Sequence, residues 1–256
     1  MEQLVEYDFN IYVENLLTFL SPTSAKNTLG VFKSILRFSQ SKYGYRFNFD
    51  FVAIPKAHTE ELRVLSKQEK NKLEKYCKKN NTLRDIEILI CLNTGLRIGE
   101  ICALKWDCID LDKHCIKVKK TMQRIYNKND KKSVVKEDIP KTQKSVRTIP
   151  MSTKLYDILK PLKKSFSPNC YFLTGSEYNY IEPRNYQYMF KKCLEDCKIK
   201  DFHFHQLRHT FATDCINVGM DTKSLSEILG HANVKVTLDK YVYSSFKSKK
   251  KYLEKL

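Results

Sequence analysis

The chain has 256 residues, which at about 150 per domain makes one or two domains, with enough chain for a hydrophobic core. Apolar residues make up 42%, and seven Gly with seven Pro are too few for a disordered or collagen-like chain. No run approaches the roughly 18 apolar residues of a membrane span; Lys and Arg number 46 against 29 Asp and Glu, so the net charge of +17 points to a polyanion, most simply nucleic acid, with a Lys-rich solvated surface as the plain alternative.

The acidic start (Glu2, Glu6, Asp8) is unlike a secretory signal. Residues 1–58 hold six basic and five acidic side chains, so the excess belongs to the rest of the chain, 40 against 24. Phe9, Val13, Leu16, Leu17 and Leu20 recur on one helical stripe, with Asp8 as an N-cap and Pro22 as a stop. A second stripe carries Leu29, Phe32, Ile35 and Leu36, and Lys26, Lys33, Arg37 and Lys42 lie mostly off it. These helices make a thin module over 1–58, with a linker near 43–62 around Gly44 and Pro55.

The larger unit, 59–256, opens with the capping-box spacing of Ser66 and Glu69. Leu73, Tyr76 and Cys77 form one apolar face, an apolar helix runs from Leu83 to Leu92 and ends at Gly95, and a short helix follows Arg97 to about Lys105. Ile116 and Val118 then alternate with lysines, Val134–Ile139 and Val146–Ile149 read as a hairpin around a polar turn, and Asn127–Lys132 reads as a charged loop. From Leu155 the helical period returns. The expected class is mainly α with one small antiparallel β-sheet (α+β). The nine cysteines, odd in number and irregularly spaced, fit buried, reduced thiols in a cytoplasmic protein.

Four stretches carry chemistry. In Thr94-Gly95-Leu96-Arg97-Ile98-Gly99-Glu100, a turn at Gly95 sets Arg97 at a helix start, where its guanidinium can meet a phosphate; alone it could equally be a surface Arg at a helix junction. In His205-Gln206-Leu207-Arg208-His209, His205 and Arg208 share a helix face, while Leu207, Phe211 and Cys215 form a buried row. His203, His205 and His209 do not read as a metal site: Gln206 stands where the zinc-protease pattern needs Glu, and Arg208 repels a cation. Leu229-Gly230-His231 puts a His just past a helix that begins near Asp221. Tyr241 follows His231 by ten residues and by itself reads as a packing aromatic.

In this order and spacing the four resemble the tyrosine recombinases, or phage-type integrases, whose pattern is Arg in T-G-x-R-x-x-E, then H-x-L-R-H, then L-G-H, then Tyr. The resemblance is strong over about 59–256 and weaker over 1–58, which looks like a shortened helical core-binding domain of that family. It implies a Lys in a β-hairpin between the first two motifs; Lys141 fits by position and Lys144 is its rival. Many members have His two residues after the Tyr, where this chain has Tyr243.

By that resemblance, Tyr241 is the nucleophile that leaves a 3′-phosphotyrosyl link, Arg97 and Arg208 clamp the phosphate oxygens, and His205 and His231 add hydrogen bonds, with His205 also able to take the tyrosine proton. Lys141 protonates the leaving 5′ oxygen. Neither metal nor ATP is implied. The implied partners are double-stranded DNA sites, bound by four protomers that exchange a C-terminal tail (Phe246, Tyr252, Leu253, Leu256), and Lys119, Lys120, Lys131, Lys132, Lys136 and Lys144 are candidate phosphate contacts. The alternatives are a type IB topoisomerase, which relaxes DNA alone, and a non-catalytic DNA-binding remnant of an integrase.

Overall fold

The structure, a computed structural model, describes residues 9–47, 63–127, 131–138 and 146–241. The chain separates into two compact units, Met1–Glu61 and Leu62–Leu256. No helix among the described residues is long and apolar enough to cross a membrane.

The smaller unit is built on α1 (Phe9–Phe19) and α2 (Pro22–Tyr43). Phe9, Val13 and Leu16 of α1 close onto Ala25, Leu29 and Leu36 of α2, with Phe47 completing the cluster. Pro22 opens the second helix rather than stopping the first: Ser21 is the N-cap, and a proline in the first turn has no N–H to leave unpaired.

In the larger unit α3 (Lys67–Asn80) carries the Ser66–Glu69 capping box, both reciprocal bonds being present. Next come α4 (Leu83–Thr94) and a short α5 (Ile98–Cys102), which ends three residues before the expected Lys105. Residues 85–92 of α4 are all buried, so this helix is enclosed on every side and forms the axis of the core. The remaining helices are α6 (Thr153–Lys163), α7 (Pro183–Asp196), α8 (Phe204–Asn217), α9 (Thr222–Leu229) and α10 (Val234–Tyr241).

Two small antiparallel sheets stand between α5 and α6, where one was expected. β1 (Ile109–Asp110), β2 (Cys115–Val118) and β5 (Arg147–Pro150) form the first, in the order β1-β2-β5, with Ile116 opposite Ile149 and Val118 opposite Arg147. β3 (Thr121–Asn127) and β4 (Lys132–Asp138) form the second, in register from Thr121↔Asp138 to Asn127↔Lys132. The expected hairpin of 134–139 with 146–149 is therefore corrected: β4 pairs backward with β3, and β5 pairs with β2. The ends of the stretch read as a charged loop, Asn127 and Lys132, close that hairpin. All nine cysteines are free and buried, as small apolar side chains would be.

Candidate active site

The site is assembled where the N-terminus of α5, the face of α8, the end of α9 and α10 meet. α4 stops at Gly95, whose φ of +65° is strained for any residue with a Cβ; a Cβ there would also meet the Phe211 ring at 2.6 Å and Leu229 at 2.7 Å. Only glycine lets α8 and α9 close on this turn, and Arg97 emerges from it as the N-cap of α5.

Arg97 is partly exposed and held from two sides. Its backbone N–H donates to Glu100 Oε2 at 2.8 Å, one guanidinium nitrogen donates to Glu100 Oε1 at 2.7 Å, and the other to the Gly230 carbonyl at 3.1 Å. Glu100 is itself buried and also accepts two bonds of 2.9 Å from Arg147. Burial pushes its carboxyl up, but Arg147 and then Arg97 outweigh that and hold it at about 2. Every lone pair of Glu100 is thus committed to fixing cations, which leaves it no role as a proton carrier or metal ligand.

Arg208 is 2% exposed. Its two terminal nitrogens donate to the carbonyls of Gly95 (3.0 Å) and Leu229 (2.8 Å), so it ties the ends of α4 and α9 together. Burial first, and then the neighbouring Arg97 cation, lower its pKa to about 9. A buried guanidinium with neutral carbonyls for partners and a like charge beside it is a site that an anion would relieve.

His231 follows Gly230, the left-handed cap of α9. Its Nδ1 lies 2.7 Å from Thr237 Oγ1, and its ring is parallel to that of Tyr241, with centroids 6.2 Å apart. Thr237 and Tyr241 are four apart on α10, so the histidine is bound to the helix that carries the tyrosine. Tyr241 is buried, with its hydroxyl 2.8 Å from His209 Nδ1 and within electrostatic reach of Arg208. Burial raises the phenol's pKa, and Arg208 and Arg97 draw it part of the way back. His205, one turn before His209, is exposed and meets it edge-on at 4.6 Å between centroids.

The structure therefore brings Arg97, Arg208, His231 and Tyr241 together, with His205 at the rim. Lys141 and Lys144 lie outside the described residues, as do Tyr243 and the tail beyond it. Among the candidate phosphate contacts, Lys119 pairs with Asp107 and Lys120 with Glu137, each at 2.8 Å, and Lys136 is 3.7 Å from Asp138. Lys131 and Lys132 are exposed at the β3–β4 turn.

Sequence reasoning missed Arg147 and His209. Period-two alternation in β5 puts Arg147 on the inward face with Ile149, a signal that was available. Among the described residues the one cluster with metal-ligand chemistry is Cys77, Asp85 and Cys193, whose ligand atoms lie within 4.8 Å of one another. It belongs to the helical core: Thr82, the N-cap of α4, accepts from the Asp85 backbone N–H and donates its hydroxyl to the Asp85 carboxylate, and the Cys193 thiol is pushed up, by its hydrogen bond with Cys77 first and then by burial.

A model of the phage integrase family matches residues 63–248. A XerC-like tyrosine recombinase of Caldanaerobacter subterraneus subsp. tengcongensis is 30% identical over 77% of this chain and 54% of its own length. The transposase of transposon Tn916 from Enterococcus faecalis is 29% identical over 79% of this chain and 53% of its own. The chain thus spans about half the length of these curated relatives. Among solved structures, the Tn1549 transposon integrase in complex with a circular intermediate DNA superposes with a TM-score of 0.77 at 25% identity, covering 97% of this chain and 84% of that one.

Proposed function

The chain belongs to the phage integrase family of tyrosine recombinases, and from that premise we propose that it cleaves and rejoins DNA strands at specific sites through a 3′-phosphotyrosyl intermediate on Tyr241. The observation that carries this reading is the buried Tyr241 within electrostatic reach of a buried, anion-seeking Arg208 and of Arg97. A phenol beside such cations is poised next to the position a phosphate would take.

In the proposed reaction Tyr241 Oη attacks the scissile phosphorus, a P–O bond to the tyrosine forms and the bond to the 5′ oxygen breaks. Charge on the non-bridging oxygens is met by Arg97 and Arg208, both immobilised beforehand, so little reorganisation is needed as it develops. His231 donates a further hydrogen bond from the ring edge opposite Thr237, and His205 reaches the same phosphate from the rim. Lys141 protonates the leaving 5′ oxygen. The phosphate's charge is met by fixed guanidinium groups and Glu100 is fully engaged by arginines, so the mechanism as proposed calls on neither a metal ion nor ATP; the covalent link conserves the bond energy.

Residues 1–58 and 59–256 are proposed to hold the duplex as two modules, with Lys119, Lys120, Lys131, Lys132, Lys136 and Lys144 as phosphate contacts, and four protomers to act on two DNA sites. The mobile-element relatives favour integration or excision of a transposon-like element as the setting. A nicked suicide substrate tests the reading: the protein should become covalently attached to the 3′ end, and Tyr241→Phe should bind the same DNA and remain unlinked. Adduct formation by Tyr241→Phe would overturn the assignment. Relaxation of a supercoiled plasmid lacking any recombination site would favour the topoisomerase reading instead.

A further inference from the structure

The hydroxyl of Tyr241 has two neighbours with different hydrogen-bonding abilities. Arg208 lies close enough to draw the phenol's pKa down, and it carries N–H donors and no acceptor, so it favours the phenol oxygen's lone pairs, not its proton, on its side. The phenol's own single proton must then point elsewhere, and His209 Nδ1 lies 2.8 Å away in a buried position. The opposite arrangement, with His209 donating, would place two donors on the phenol and leave its proton without this acceptor. A doubly protonated His209 would also add a third cation to a pocket that already holds Arg97 and Arg208. The pocket thus selects the His209 tautomer with its proton on Nε2 and a lone pair on Nδ1. His205, the other histidine of α8, is exposed and packs edge-on against His209.

We propose that His209 is the general base for Tyr241, a role that rests on the phosphotyrosyl reading above. As Oη bonds to phosphorus, the O–H bond breaks and its proton passes to His209 Nδ1. The electron pair of the P–O5′ bond leaves with the 5′ oxygen, which takes a separate proton from the proposed acid, Lys141. Religation runs in reverse: the 5′ hydroxyl attacks, and the imidazolium of His209 returns its proton to the departing phenolate. The cation that forms on His209 appears only while the phosphate's negative charge is present in the pocket, so it is favoured in the transition state and not before. The titratable and charged groups around the pair are Arg208 and His205 on α8, Arg97 and Glu100 at the start of α5, Arg147 of β5, and His231 after α9.

The test is the single-turnover rate of adduct formation on a suicide DNA substrate, followed against pH. His209→Asn keeps a hydrogen-bond acceptor near the Nδ1 position but takes up no proton. It should bind DNA as the unsubstituted protein does and form adduct about a hundredfold or more slowly at neutral pH, in the range that general-base removal gives. The deficit should shrink as pH rises, and a fluorinated, more acidic tyrosine at position 241 should restore much of it. A 5′-bridging phosphorothiolate, which removes the need for leaving-group protonation, should not. His205→Asn should slow cleavage yet keep the ascending pH limb where the unsubstituted protein has it, whereas in His209→Asn that limb moves to higher pH. Cleavage by His209→Asn within about threefold of the unsubstituted rate, or rescue by the phosphorothiolate, would overturn the role. A second measurement needs no change at His209: with fluorotyrosine at 241 in otherwise unsubstituted protein, the ascending limb should stay where it is, and a limb that follows the phenol's acidity would contradict the proposal. Absence of any adduct from the unsubstituted protein would overturn the phosphotyrosyl reading itself, whereas normal adduct with an unaffected His209→Asn would overturn this role alone.

Discussion

Arg147→Met removes the innermost support of the site without touching any residue proposed to meet DNA. The Arg147 side chain is 6% exposed, and its bonds include two of 2.9 Å to the Glu100 carboxylate and one of 2.6 Å from Nε to the Ile228 carbonyl. It is the principal reason the buried Glu100 carboxyl lies at about 2 instead of 4.5. At about 1.4 kcal/mol per tenfold, that gap corresponds to about 3 kcal/mol of stability at neutral pH. Methionine fills similar space but leaves Glu100 with Arg97 as its remaining cation, so a loss of about 3 kcal/mol is expected, at the low end for breaking a buried ion pair. The sign with pH is fixed by the direction of the shift. A depressed carboxyl stabilises the fold above pH 4.5 and ceases to do so as pH falls from 4.5 through about 2. Urea unfolding at pH 7 and at pH 2.5 should therefore show a large difference between the two proteins at the first and a much smaller one at the second, with unchanged m-values. Arg147→Met with Glu100→Leu should recover part of the loss, because the orphaned charge is gone. A difference below about 1 kcal/mol at pH 7, or one constant across this range, would contradict this role for Arg147.

Three further outcomes follow from single observations. Glu87 of α4 is wholly buried, and burial raises its carboxyl well above 4.5, so folding favours its protonated form. A raised carboxyl makes folding less favourable as pH climbs above 4.5, and Glu87→Gln should stabilise the protein more at pH 8 than at pH 5 in thermal melts. Arg97→Lys should leave DNA affinity within a few-fold and reduce adduct formation by more than tenfold, because one ammonium cannot serve Glu100, the Gly230 carbonyl and a phosphate together; single-turnover kinetics would show it. Replacing Lys131, Lys132 and Lys136 together with alanine should flatten the salt dependence of DNA binding, by about 0.9 in the log–log slope for each lysine that meets a phosphate; an unchanged slope would remove this hairpin from the interface.

Much of the candidate site was legible because its residues fall in short segments with strong local signals. Gly95 and Gly230 mark helix ends by their left-handed conformations, and Arg97 and His231 follow them at fixed offsets. What could not be read was which face of each segment turns inward. His205 and His209 are equivalent by spacing alone, and only the packing of α8 on α4 and α10 buries one and exposes the other. Strand pairing failed for a related reason. Thr121–Asn127 has a polar pattern that hid β3, so β4 was joined to the next apolar strand along the chain; the ladder instead pairs Ile125 with Val134, and β5 goes to β2. Arg147 shows the limit of composition rules, since an arginine in a strand reads as solvent-facing until Glu100 is found waiting for it across the fold.

One phenol, Tyr241, is proposed to carry the DNA. Protease digestion of the protein trapped on a suicide substrate, followed by fragmentation of the DNA-linked peptide in a mass spectrometer, identifies that residue directly. The expected product is a phosphodiester between Tyr241 and the 3′ end of the cleaved strand. A linkage at Tyr243, or one to the 5′ end, would contradict it.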